Sequence, residues 1–62
     1  MNNRIKLIRK ARGLTQTELS KMSGISRPYI SDLENDKCQI VKNSTLKAIA
    51  KALNVSVNEI FF

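Results

Sequence analysis

The side chains with the most distinctive chemistry lie in the segment ISRPYISDLE, residues 25–34. At helical spacing, four of them share the side that faces away from the apolar positions: Arg27, Pro28, Ser31 and Asp32. The Arg27 guanidinium donates hydrogen bonds from a planar fork, the Asp32 carboxylate accepts them, and the Ser31 hydroxyl does both. Such a helix edge could recognise the hydrogen-bonding pattern of another molecule, provided that the segment is a helix at all.

Pro28 decides whether this segment is helical, because proline in a helix interior breaks the helix. Ser26 is a favourable N-cap, and Ile25 and Ile30 have the spacing of a hydrophobic staple. Pro28 is then the second helical residue and lies in the first turn, where backbone N–H groups have no intrahelical partner. We therefore expect a helix over residues 26–34 that tolerates the proline.

A second short helix is predicted just before it, starting in LTQTEL, residues 14–19. Thr15 and Glu18 have the spacing of a capping box, so this helix should run from about 16 to 22. Gly24 follows it and can adopt the left-handed conformation that a sharp turn requires. Two short helices across a glycine turn have the layout of a helix-turn-helix, whose second helix fits a DNA major groove about 12 Å wide.

The remaining chain predicts three more helices around this pair. The first covers residues 3–12, and Gly13 stops it. The fourth opens at Ser44 and closes at Asn54, and its inward positions are Leu46, Ile49, Ala50 and Leu53. In the loop between the third and fourth helices, Ile40 or Val41 is expected to pack beneath the chain.

The last predicted helix is short. Ser56 caps it, Glu59 completes a second capping box, and the helix ends in Phe61 and Phe62. Five short helices joined by tight turns predict a compact all-α fold, with residues 1–62 forming a single domain.

The charge of the chain favours a polyanionic partner. Eleven Lys and Arg residues against five Asp and Glu residues give the 62-residue chain a net charge of +6. Residues 1–12 contain five basic side chains and no acidic one. This surplus suits nucleic acid, although a solubilising surface would have the same composition.

Several functional classes are disfavoured by composition. One cysteine and no histidine exclude an internal disulfide and a structural zinc site, so no cofactor or metal is expected. Cys38 is interpreted as an idle loop thiol of a reducing cytoplasm rather than a redox switch. No apolar run approaches about 18 residues and no signal peptide is visible, so we expect a cytoplasmic protein without a membrane partner. Without histidine, a Gly-rich phosphate loop or clustered carboxylates, an enzyme is not expected.

A longer pattern surrounds the two central helices: IKLIRKARGLTQ, then SGIS, YISDLEN and LKAIAKALNVSVNEIF. Together these stretches resemble the phage-repressor and Cro type of helix-turn-helix protein, the XRE family. The resemblance covers nearly the whole chain. It implies a five-helix phage-repressor-like fold and sequence-specific binding of double-stranded DNA, in a repressor or an autoregulatory controller of transcription.

The resemblance also implies roles for individual residues. The positions expected to contact base edges are Arg27, Pro28, Ser31 and Asp32. Those expected to contact DNA phosphate are Gln16, Thr17, Ser26, Tyr29, Asn35, Lys37 and Lys42. Gln16 is also expected to brace the recognition helix, and Arg9 and Glu34 to form a partly buried ion pair that ties the first helix to the end of the third.

Some of these roles have alternatives. Arg27 could grip guanine O6 and N7, contact phosphate or lie free in solvent. Asp32 could accept a hydrogen bond from cytosine N4, or orient Arg27 or another side chain. Tyr29 lies at the edge of the inward face, where core packing is the first interpretation and phosphate contact the second. Pro28 has no donor and could make only an apolar contact, for example with a thymine methyl. Asp36 stands where such loops often have glycine, and its charge could weaken phosphate contact.

The end of the chain suggests a partner. Phe61 and Phe62 cannot easily both point inward from one short terminal helix. With Val57, the outward one would form a two-fold interface, so we expect a homodimer on a pseudo-palindromic operator with half-sites about one helical turn apart. The alternative function is a DNA-binding antitoxin or an interaction module acting with a second protein. No sensor segment follows the helices, so no small-molecule effector is expected.

Overall fold

Five helices follow one another in the computed structural model, which describes residues 3–37 and 41–61: α1 (Ile5–Ala11), α2 (Gln16–Ser23), α3 (Arg27–Glu34), α4 (Asn43–Leu53) and α5 (Val57–Ile60). Within these two ranges the only extended pairing is one isolated bridge between Asn3 and Phe61. The predicted all-α fold and the order of five helices are therefore confirmed.

The helices begin and end at the caps that the sequence provides. The Thr15 hydroxyl accepts a hydrogen bond from the Glu18 N–H at 3.1 Å, and the Glu18 carboxylate accepts one from the Thr15 N–H at 3.0 Å. In the second predicted box, the Glu59 carboxylate accepts from the Ser56 N–H at 2.8 Å. These bonds satisfy N–H groups that the first helical turn leaves without partners.

Some predicted boundaries were wrong by one or two residues. α1 begins at Ile5 rather than at residue 3, because the Asn3 side chain stays outside the helix and accepts the Ile5 N–H at 3.0 Å. α2 includes Ser23, one residue more than expected. α4 begins at Asn43 with Lys42 as N-cap, not at Ser44, and no side chain caps its first turn.

The end of the last helix also needs correction. α5 stops at Ile60, and Phe61 already has extended backbone, so the helix does not end in the two phenylalanines. The reason is the pairing of Phe61 with Asn3, supported by a hydrogen bond from the Arg4 N–H to the Ile60 carbonyl. Phe62 lies outside the described residues.

The core receives side chains from every helix. Its buried hydrophobic residues are Ile5, Leu19, Ile30, Leu33, Leu46, Ile49, Ala50, Leu53 and Ile60. All four inward positions predicted for the fourth helix are among them. The sequence predicted that Ile40 or Val41 packs beneath the loop. Val41 is half-buried and packs against the core, whereas Ile40 lies outside the described residues.

α2 and α3 pack against each other, and the rest of the molecule supports that pair. α4 packs on α2, α1 packs on α3, and α5 packs on α4. None of the helices in the described ranges is long and apolar enough to cross a lipid bilayer.

Candidate nucleic-acid interface

The turn between α2 and α3 is fixed by short hydrogen bonds. Gly24 ends α2 with a φ of 74° and donates its N–H to the Ser20 carbonyl at 2.9 Å. The Ser20 hydroxyl donates to the Ile25 carbonyl at 2.6 Å, and the Ile25 N–H donates to the Ser23 hydroxyl at 3.2 Å. Because this turn is bonded on both sides of the glycine, α3 leaves α2 in one defined direction.

α3 begins where the sequence predicts, with proline in its first turn. The Ser26 hydroxyl accepts the Tyr29 N–H at 3.4 Å, and Arg27 and Pro28 are the first two helical residues. Ile30 is fully buried and Leu33 is 1% exposed. The two faces of the helix are therefore separated as the apolar spacing indicates.

The four candidate base-contacting residues have unequal exposure. Arg27, Pro28 and Asp32 are exposed, whereas Ser31 is half-buried. The Asn35 amide donates to the Ser31 carbonyl at 2.9 Å and to its hydroxyl oxygen at 3.4 Å. The hydroxyl of Ser31 is thus engaged within the helix end and is a weaker candidate than its three neighbours.

The residues after α3 turn the chain sharply. Asp36 adopts a left-handed φ of 60°, a conformation that glycine enters most easily and that aspartate tolerates better than most other residues. The Lys37 N–H donates to the Asp32 carbonyl at 2.9 Å, and the Lys37 side chain is exposed. The Lys37 ammonium is therefore free to reach an anion beside the end of α3.

The remaining candidates for phosphate contact lie on α2, on α3 and its two caps, and, for Lys42, at the N-cap of α4. Exposed side chains among them are Thr17, Ser26, Asn35 and Lys42. Tyr29 is half-buried and packs against the core, which agrees with the first of its two interpretations. The Asn35 amide already donates to Ser31, so its contact with phosphate would require a second use of the same group.

Arg9 and Glu34 lie in contact between α1 and the last residue of α3. Arg9 Nε is 2.7 Å from Glu34 Oε2 and Arg9 Nη2 is 3.0 Å from Glu34 Oε1, so the pair is bidentate. Their side chains are only 9% and 1% exposed. Arg9 Nη1 also donates to the Leu14 carbonyl at 2.7 Å, which fixes the chain between α1 and α2.

Ionisation of this pair follows from its contacts. Burial alone raises the pKa of the Glu34 carboxyl, but hydrogen bonds from Arg9 and Gln16 and the charges of Arg9 and Lys6 outweigh it, so that the pKa lies below its ordinary value. The hydrogen bond to Glu34 raises the pKa of Arg9. Both groups are therefore charged at neutral pH.

Gln16 connects the ion pair to the exposed start of α3. Its Nε2 donates to Glu34 Oε1 at 3.1 Å, and its Oε1 accepts from Arg27 Nη1 at 3.4 Å. Sequence reasoning expected Gln16 to brace the recognition helix but did not find Glu34 as its partner, because no local pattern links residues 18 positions apart. No hydrogen bond joins Asp32 to Arg27 in the described part of the chain, and the Arg27 guanidinium instead contacts Gln16.

The remaining predicted features are the dimer interface at the end of the chain and Cys38. Val57 and Phe61 are half-buried, and Val57 packs against the core. Phe62 and Cys38 are outside the described residues. Among the residues that the structure does describe, no group of His, Cys, Asp or Glu side chains is arranged to hold a metal ion.

Comparison with known proteins gives consistent matches. The family model described as helix-turn-helix matches residues 5–60. An immunity repressor protein of Bacillus phage phi105 is 43% identical over 60 residues, covering 97% of this chain and 41% of that protein. The ImmF control region 10 kDa protein of the same phage is 43% identical over 54 residues, covering 87% of this chain and 59% of that protein.

A bacterial relative extends the comparison. The competence pilus inhibition repressor of Acinetobacter baylyi is 40% identical over 57 residues, which cover 92% of this chain and 51% of that protein. The chain thus spans roughly half the length of the curated relatives it matches.

Proposed function

The chain belongs to the helix-turn-helix family, and from this premise we propose that it binds double-stranded DNA sequence-specifically and regulates transcription as a repressor or autoregulatory controller. The observation that supports this best is the exposed start of α3, where Arg27, Pro28 and Asp32 face outward beside a rigid turn. An α-helix presented in this way fits the major groove, where each base pair shows a distinct hydrogen-bonding pattern.

Base recognition in this proposal starts with Arg27. Its guanidinium would bind guanine O6 and N7, a bidentate contact worth about 1–3 kcal/mol of discrimination. Pro28 would pack against a thymine methyl, and Asp32 would accept a hydrogen bond from cytosine N4. Ser31 would contribute little, because Asn35 already engages its hydroxyl.

Phosphate contacts would hold the helix in register. The proposed set comes from α2, from α3 and its caps, and from the residues between α3 and α4: Gln16, Thr17, Ser26, Tyr29, Asn35, Lys37 and Lys42. Such contacts position a protein on the duplex without reading its sequence. The net charge of +6 supports them, because neutralising phosphates releases condensed counterions.

We also propose a homodimer on a pseudo-palindromic operator. A single domain of this size offers little area for tight and specific binding, whereas two copies read two half-sites about 34–36 Å apart. Val57, Phe61 and Phe62 are the proposed interface, and half-burial leaves part of Val57 and Phe61 accessible to a second copy. Sedimentation at micromolar concentration tests this directly, since a single 7.0 kDa species would contradict it.

The regulator proposed here would act in the cytoplasm, without cofactor and without catalysis. The three relatives are named as repressors and as a protein of a phage control region, and these names do not favour an antitoxin. The proposed function therefore requires only a DNA target and a second copy of the chain.

Selection of bound sites from random DNA duplexes is the decisive experiment. We expect enrichment of one sequence with two inverted half-sites one helical turn apart. Affinity for that sequence should fall steeply as salt rises, because several phosphates are neutralised. Recovery of unenriched sequences, or binding insensitive to salt, would contradict the proposal.

A further inference from the structure

Gln16 has a single amide orientation that satisfies both of its neighbours. The Glu34 carboxylate is an acceptor and the Arg27 guanidinium is a donor only. The amide must therefore turn its Nε2 to Glu34 and its Oε1 to Arg27, as the distances of 3.1 and 3.4 Å show. The reverse orientation would set acceptor against acceptor and donor against donor.

This orientation is determined from inside the molecule. The Glu34 side chain is 1% exposed and is itself held by two hydrogen bonds from Arg9. The Gln16 amide donates to Glu34 Oε1, the oxygen that also accepts from Arg9 Nη2. A chain of hydrogen-bonded side chains therefore connects α1 to the exposed start of α3, in the order Arg9, Glu34, Gln16 and Arg27. We name these four side chains the polar relay.

We propose that Glu34 is a specificity-determining positioning residue, which acts through Gln16 to hold the Arg27 guanidinium in the orientation that reads one base pair. The inference rests on the proposed function, since it requires that Arg27 contact a base. Glu34 itself touches no DNA in this arrangement, because its carboxylate lies beneath Gln16 and beside Arg9.

The relay acts by limiting the conformations of Arg27. A free arginine side chain loses its rotamer freedom when it binds a base, whereas a side chain already held loses less. The hydrogen bond at 3.4 Å is long, so the restriction is partial. We expect its loss to reduce discrimination at the Arg27 base pair by about three- to tenfold.

Two variants test the relay on duplexes that differ at single base pairs. Gln16→Met keeps an unbranched side chain of similar volume and removes both relay bonds, while Arg9 and Glu34 remain paired. Glu34→Gln has one acceptor oxygen where the carboxylate has two, so a donor of Arg9 or Gln16 loses its acceptor. The Arg27→Ala variant first identifies the base pair that Arg27 reads. Both relay variants should lower discrimination at that base pair and leave discrimination at the other base pairs unchanged.

Glu59→Gln is the matched control for charge. The Glu59 carboxylate accepts a hydrogen bond from the Ser56 N–H at the start of α5, outside the polar relay. Its substitution removes one negative charge, as Glu34→Gln does. It should leave the pattern of base preference intact. Thermal unfolding would verify that each variant is folded at the assay temperature, and Gln16→Met serves if Glu34→Gln does not fold.

The double variant Gln16→Met with Arg27→Ala gives the sharpest outcome. If Gln16 acts through Arg27, adding Gln16→Met to Arg27→Ala produces no further loss of discrimination at that base pair. An undiminished further loss of discrimination would overturn the relay. So would single variants that leave discrimination at the Arg27 base pair at its wild-type value, whatever general weakening follows from loss of the Gln16 phosphate contact. A wild-type chain with no base preference would overturn the proposed function as well, which separates the two failures.

Discussion

The side-chain amide of Asn3 donates a hydrogen bond to the backbone carbonyl of Leu33 at 2.9 Å, across 30 residues of sequence. Together with the ion pair between Arg9 and Glu34, it attaches the region around α1 to the last turn of α3 at two points. The carbonyls of a last helical turn have no intrahelical partner, so this contact also satisfies the helix end. α3 is therefore held at its C-terminal end, and its N-terminal end stays exposed.

Arg9→Met should strongly destabilise the fold, because it leaves the Glu34 carboxylate buried without its cation. Breaking a buried pair from one side costs about 3–5 kcal/mol, and a domain of this length has a total stability of roughly 3–9 kcal/mol. Urea unfolding followed by circular dichroism would measure the loss. Lys10→Met is the control, since Lys10 is the exposed next residue of the same helix. Equal effects of the two variants would contradict the structural role of the pair.

Acid should destabilise the domain through Glu34. Its folded pKa lies below the ordinary value, so the unfolded chain binds a proton first as the pH falls below about 4.3. The stability contributed by the carboxylate is fully present above that pH and is lost as the pH falls through the folded pKa. Urea midpoints of the wild type should therefore fall from pH 5 to pH 3.

Glu34→Gln cannot be protonated at this position, so its urea midpoint should change less over the same range. Glu18 contributes in the same direction, because the Thr15 backbone amide and side chain lower its pKa, but it is exposed on the surface. Glu18→Gln should consequently flatten the pH dependence less than Glu34→Gln. The opposite order would show that the buried pair is not the source of the acid sensitivity.

Arg27→Ala and Lys37→Ala should have different effects on DNA binding, the first on sequence discrimination and the second on general affinity. Loss of Arg27 should remove about 1–3 kcal/mol of discrimination at one base pair. Loss of Lys37 should weaken binding to all duplexes alike and lower the slope of log affinity against log salt by about one. Fluorescence anisotropy with a panel of duplexes at several salt concentrations measures both. If Arg27→Ala lowered the affinity for all duplexes equally, the proposed role of Arg27 in reading bases would be contradicted.

Gly24→Ala should cost stability without changing the DNA-binding surface. Gly24 has a φ of 74°, which costs an L-residue about 1–2 kcal/mol. A Cβ at this position would meet no atom within 4 Å, so no neighbour has to move. Thermal unfolding should show the loss, and Gly24→Asn should show a smaller one, because asparagine enters this conformation more easily. A change in base preference would mean that the turn has shifted.

Local patterns predicted most of the fold. Thr15 with Glu18 and Ser26 with Pro28 announce helix starts through short-range hydrogen-bonding rules, and these rules hold in the structure. The end of the last helix was wrong because a distant residue intervened. The bridge from Asn3 to Phe61 ended α5 earlier than its apolar residues indicated, and no local signal reveals such a pairing.

The candidate site was predictable in part for the same reason. The exposure of Arg27, Pro28 and Asp32 follows from helical spacing around a buried Ile30. The contact of Gln16 with Glu34 depends on how α2 packs against the end of α3. The spacing of residues within either helix does not predict that packing. Helical spacing likewise did not indicate that the Asn35 amide folds back and donates to Ser31.

The bridge between Asn3 and Phe61 brings two distant points of the sequence together on one side of the molecule. Joining them with a short linker, and opening the chain elsewhere, would give a circular permutant with the same helix contacts. Grafting the unit into a loop of a host protein would likewise need attachment points only a few ångströms apart. Neither rearrangement involves the start of α3, so the architecture is suited to modular reuse.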